Sequence, residues 1–139
     1  MWHPTLILSL LAVVISTNPT GQDSNFPDLS GFTLSPTEHV IDTIDQPFRV
    51  RSIKGRIPFR NSPGEFLAGV LLEVMGPTPR VVRSCTTDSN GRFKIAHVPQ
   101  GTYRFKTTLN GYSSIVGVIL VARKSDKASQ VSLDVSIGN

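Results

Sequence analysis

A chain of 139 residues, 39% hydrophobic and 17% charged, has room for one domain and excludes a second. A domain of about 90 residues buries roughly 60–65% of its unfolded surface, so a single core suffices. The net charge of +4 hides a division: 17–48 carries Asp23, Asp28, Glu38, Asp42 and Asp45 without Lys or Arg, whereas 49–139 carries all 14 basic residues against five acidic ones, so the two segments stand at −5 and +9.

The first element is the apolar run from Leu6 to Ile15, broken only by Ser9 and followed by small and polar residues. It reads as a secretory signal over 1–16, too short for the ~20 residues of a membrane-spanning helix, although its leading segment has His3 and no Lys or Arg. Cleavage falls after Ser16 or nearer Gln22; the alternative is a short uncleaved anchor. From 17 to 48 the chain is rich in Pro, Ser, Thr, Asp and Gly, with Phe26, Phe32, Ile41 and other apolar residues scattered through it. This predicts an irregular, extended acidic arm that docks in part on the domain at 49–139.

Five cations, Arg49, Arg51, Lys54, Arg56 and Arg60, open that domain. Strand parity places Arg49 and Arg51 on one face and Lys54 and Arg56 on the other unless Ser52 and Ile53 form a bulge. Strands are predicted near 50–57, 67–75, 80–87, 92–97, 102–109, 113–122 and 130–137. Phe93 with Ile95, Tyr103 with Phe105, and Val131 with Leu133, Val135 and Ile137 alternate with polar residues, as a sheet with one buried face requires. The apolar run Val118 to Val121 predicts a central or covered strand. Asp88, Asn90 and Gly91 form one structural turn and Pro99 with Gly101 another, which reads as antiparallel hairpin geometry.

Thr87-Asp88-Ser89-Asn90-Gly91-Arg92-Phe93, the following Val98-Pro99-Gln100-Gly101-Thr102-Tyr103 and Gly111-Tyr112 together resemble the carboxypeptidase regulatory-like domain family. The resemblance runs from Val50 to Ile137, with Ile53, Gly55 and Ile57 similar to the family's opening strand and Leu67 to Val74 similar to its second. It implies an all-β, seven-stranded antiparallel Greek-key β-sandwich, transthyretin-like and grouped with a carbohydrate-binding-like fold, usually noncatalytic. Glu65 to Ala68 departs from the Pro-Leu-x-Gly that the family often carries, and the chain before Val50 has no counterpart in it.

The residues offer little reactive chemistry. His97 has no nearby Asp, Glu or Cys to complete a zinc set, and His39-x-x-Asp42-x-x-Asp45 lies in β-branched sequence poor for the helix that would align it. Asp88-Ser89-Asn90-Gly91 lacks the later ligands of a calcium loop, and no serine sits in a Gly-x-Ser-x-Gly elbow. The chain also lacks the Tyr-Arg-Gly-Ser terminus and paired histidines of transthyretin-like hydrolases. Cys85, the one cysteine, reads as a small buried hydrophobe in a strand. No metal, cofactor or catalytic residue is expected. Phe59, Phe66 and Tyr112, with Arg56 and Arg60, are the candidate ligand-binding residues, because sugar-binding modules stack rings on exposed aromatics. The expected product is an exported, extracytoplasmic noncatalytic module binding carbohydrate or an anionic envelope polymer. The alternative is a structural accessory domain making protein contacts in an envelope complex. Nucleic acid is not an expected partner, and after signal removal the chain is not expected to be an integral membrane protein.

Overall fold

Alternating apolar residues between tight turns bury one face of each strand, and here they close two sheets on one core. The computed structural model describes residues 28–36, 40–78, 80–122 and 131–132. The signal over 1–16, residues 17–27 and 37–39 of the arm, His39 among them, and residues 130 and 133–137 of the last expected strand lie outside the described residues. Within them the chain forms β1 (Ile41–Thr43), β2 (Phe48–Val50), β3 (Ile53–Arg56), β4 (Leu71–Met75), β5 (Val81–Thr86), β6 (Arg92–Ile95), β7 (Gly101–Thr108), β8 (Ser114–Val121) and β9 (Val131–Ser132). The fold is all-β, and no helix occurs among the described residues.

The larger sheet sets β1 and β2 in succession along β8, then β7, β4 and β5; the smaller has the order β6, β3, β9. Each of the seven expected segments contains a strand, but the first is divided. Val50 ends β2 in the larger sheet, Arg51 and Ser52 bend the chain, and Ile53 begins β3 in the smaller. The arm expected to be irregular supplies β1 and the first residue of β2. The pairing is mixed where antiparallel pairing alone was expected: β1 and β2 run parallel to β8, and β3 runs parallel to β9. A tight hairpin forces its two strands antiparallel, whereas β2 and β8 are joined only through most of the domain, which leaves the parallel direction open. β8 is flanked on both sides, as its apolar run predicts.

Val50, Ile53, Ile57, Leu72, Val74, Phe105 and Ile119 are fully buried between the sheets. Strand parity then turns Glu73 of β4 and its cross-strand partner Lys106 of β7 to the outer face of the larger sheet. Both are nevertheless buried, because residues 28–36 cross that face as a strap. Thr33 donates its amide to Glu73 Oε1 (2.9 Å) and its hydroxyl to Glu73 Oε2 (3.1 Å). Lys106 Nζ donates to the Thr33 carbonyl, and Arg104 donates to the Asp28 carbonyl. Phe32, 7% exposed, is the strap's apolar anchor, with the Arg104 guanidinium 5.6 Å from its ring centroid.

β4 starts at Leu71, later than Leu67, because Thr87 pulls the preceding loop out of the ladder. The buried Thr87 hydroxyl accepts from the Val70 amide (3.0 Å) and donates to the Leu67 carbonyl (2.6 Å). The next residue builds the turn into β6: Asp88 Oδ1 accepts from the amides of Asn90 (2.8 Å) and Arg92 (2.9 Å). Ahead of β7, the Tyr103 hydroxyl donates to the Pro99 carbonyl (2.7 Å) and fixes the second turn.

Candidate functional site

β3 and β6 are antiparallel, with Ile53 opposite Ile95, Lys54 opposite Lys94, Gly55 opposite Phe93 and Arg56 opposite Arg92. Since Ile53, Ile95 and Phe93 belong to the core, the alternate positions face outward, and all four are cations in facing pairs. Opposed residues in such a ladder stand about 4.5–5.5 Å apart at Cα, and the two rungs are separated by about 7 Å along the strands. Like charges placed directly opposite destabilise a sheet by roughly 0.2–1 kcal/mol per pair, so this arrangement opposes folding.

The cations line a groove of about 570 Å³, bordered on the β5 side by Cys85 and Thr86. A second groove, about 290 Å³, shares Lys54 and Lys94 with the first and continues past them to Arg51 and His97. Asp88 is the one carboxylate in the first lining. The hydrogen bond from the Arg92 amide, then that from the Asn90 amide, holds its carboxyl below the usual aspartate range. Its charge is engaged by the turn, and among the described residues no carboxylate lies within ion-pair distance of Lys54, Arg56, Arg92 or Lys94. Arg56 is held in place by Phe66, its guanidinium 3.6 Å from the ring centroid, and its buried Nε has no hydrogen-bond partner among the described residues.

The matching family adds what this geometry leaves open: the family model of the carboxypeptidase regulatory-like domain matches residues 52–135. The chain belongs to that family. A search of the curated proteins finds none that matches it. Regulatory-like domains are noncatalytic modules in general, and the match spans both rungs of the cationic ladder and both structural turns.

Sequence reasoning singled out five ligand-binding residues, and in this regulatory-like domain they fall into two separate groups. Phe59 and Tyr112 meet edge to face, centroids 5.7 Å apart, and both are half-buried against the core. Arg60 stands beside them, 3.8 Å from Asp42 of β1. Arg56 and Phe66 form the other group, next to the ladder. Pro58 and Phe66 bridge in antiparallel register, so Phe59, one position on, turns its side chain the other way. The three aromatics therefore form no shared stacking platform. Lys54, Arg92 and Lys94 were not singled out. Their signal was the outward parity of Lys54-x-Arg56 and Arg92-x-Lys94 around inward Ile53, Phe93 and Ile95.

Gly91 has φ 70° and Gly101 φ 157°. Cys85 is half-buried in β5, and burial pushes its thiol above the usual value. Among the described residues, no group of three or more His, Cys, Asp or Glu is placed to hold a metal ion.

Proposed function

We propose that this domain is an exported binding module of the cell envelope or extracellular space, whose ligand is an anionic polymer, with carbohydrate as the first class. One observation carries the reading: the acidic arm lies on the outer face of the larger sheet through residues 28–36, so its described residues leave the cationic outer face of the smaller sheet uncovered. A module whose basic face opposes four cations in self-repelling pairs, with Asp88 the one carboxylate in that groove, attracts polyanions over distances of a Debye length, about 8 Å at physiological salt.

The test uses mature protein recovered outside the cytoplasm, with its intact mass measured to establish removal of the segment before Thr17. Retention is compared on immobilised uronate-rich, sulfated and neutral polysaccharides at low and physiological salt. Retention on the anionic matrices alone, weakening as salt rises, is the expected result. Equal behaviour on neutral and anionic matrices would remove the reading, and a full-length mass in the membrane fraction would replace export with anchoring. The accessory-domain reading draws on β5, a six-residue strand at the end of the larger sheet's order. Such an edge accepts a strand from another chain. Chemical cross-linking of an envelope extract through β5 would favour it.

A further inference from the structure

We infer that the ligand is a linear polysaccharide bearing carboxylate or sulfate groups, laid lengthwise along the β3–β6 ladder with its anions on successive rungs. The inference rests on the binding-module reading above and assigns that module a site and a ligand shape. The first support is continuity. The two grooves meet at Lys54 and Lys94, so cations follow one another from Arg51, through Lys54 and Lys94, to Arg56 and Arg92. The rungs at Lys54 and Arg56 stand about 7 Å apart at ~3.4 Å per residue, the groove runs on past the bend to Arg51, and the track is one strand pair wide. That shape suits an extended chain rather than a flat lipid surface.

The second support is that the positions are paired by register. Facing cations about 5 Å apart can share one anion, and each such sharing relieves the repulsion that the empty ladder carries. Binding thus gains from neutralising charges that folding has brought together. The third support is what the lining lacks. Phe93 is its one Phe, Tyr or Trp, and that ring is buried in the core, while Phe66 beside the track is occupied by Arg56. Single-stranded nucleic acids are held by bases stacked on exposed rings, and neutral sugars likewise use aromatic faces. A track of cations without a stacking surface reads charge along a chain.

The experiment measures affinity for a uronate polysaccharide and for its size-fractionated oligomers, using the mature protein, Lys54→Gln, Lys94→Gln and the double variant Lys54→Gln/Lys94→Gln. The variant Arg80→Gln removes one charge away from the track, for comparison with the single variants. The expected result is about tenfold weaker binding for the central-rung double variant at low salt and a shallower salt dependence by about one unit per cation removed. The off-track variant changes affinity less than threefold, and affinity rises with oligomer length until the track is spanned, then levels. Melting of the single variants at or above the parent temperature establishes that they fold and that the facing charges repel. Polysaccharide binding lost equally in on-track and off-track variants would overturn the ladder while leaving the binding-module reading intact. Absence of binding to every anionic polymer would overturn both. Ladder-dependent binding of oligo-dT or of anionic vesicles with none of the uronate polymer would overturn the polysaccharide in favour of a nucleic acid or a membrane.

Discussion

Gly91 is where two constraints meet at one residue. Its φ of 70° disfavours any side chain, and an added Cβ would stand 2.6 Å from Phe66 Cβ and 3.2 Å from the Ile57 carbonyl oxygen. Neither neighbour is the end of a flexible chain. Gly91→Ala is expected to destabilise the domain by about 2–4 kcal/mol, from strain and overpacking together. Gly101→Ala meets only ordinary contacts, the nearest Tyr103 Cε2 at 3.6 Å, so its loss should be the smaller. Denaturant titration of the two variants checks the order. Asp88, three residues before Gly91, makes stability depend on pH. Its folded carboxyl titrates below the unfolded one, so its charge contributes stability that is present above the ordinary aspartate value and lost as pH falls through the lowered value. Asp88→Asn keeps an acceptor oxygen and removes the charge. The parent should melt above the variant at neutral pH, and the difference should close as pH falls below the ordinary aspartate range. A difference that persists unchanged into acid would show that the charge contributes nothing to the turn.

At the scale of elements, the join between the loop 67–70 and the end of β5 depends on the Thr87 hydroxyl. Thr87→Val keeps the shape but strands the Val70 amide and the Leu67 carbonyl in a buried site. The expected loss is about 2–3 kcal/mol, read as a melting temperature lower by roughly 10 °C or more in a domain of this size. This loop also marks the limit of what the sequence made legible. Strand positions and inward faces followed from local alternation, as in Phe93 with Ile95 and Tyr103 with Phe105, because that signal sits within one strand. Pairings between distant segments left no such trace. The bend at Arg51 and Ser52 sends Val50 and Ile53 to different sheets, and the parallel seat of β1 on β8 joins residues some seventy positions apart. The cationic ladder lay on both sides of that divide: Lys54-x-Arg56 and Arg92-x-Lys94 were each visible as pairs, but only the register sets one against the other. The expected aromatic cluster failed to gather for a similar reason, since the Pro58–Phe66 bridge turns Phe59 and Phe66 apart.

Across the whole molecule, charge is sorted by face. The described part of the arm borders the larger sheet, with Asp28 at the strap and Asp42 beside Arg60, while the ladder occupies the smaller sheet. Removing residues up to 36 should therefore leave polysaccharide affinity within about threefold of the parent at physiological salt, where charges beyond a Debye length are screened. A large gain in affinity on deletion would instead mean that the arm covers the ladder. The truncation also bares Met75 and Val116, buried residues that share the outer face with Glu73 and Lys106, so the truncated domain should self-associate more readily than the parent on gel filtration.

The strap's seat grips main chain: Glu73 takes an amide, and Lys106 and Arg104 reach carbonyl oxygens. Such a seat is tolerant of spelling. Leu34 is 70% exposed, so Leu34→Ser should leave the melting temperature unchanged, while Phe32→Ala should lower stability by about 2 kcal/mol for the lost burial of its ring. Drift in the strap's sequence is thus confined at Phe32 and at Thr33, whose hydroxyl also reaches Glu73, while an exposed position such as Leu34 is free to change without loosening its hold.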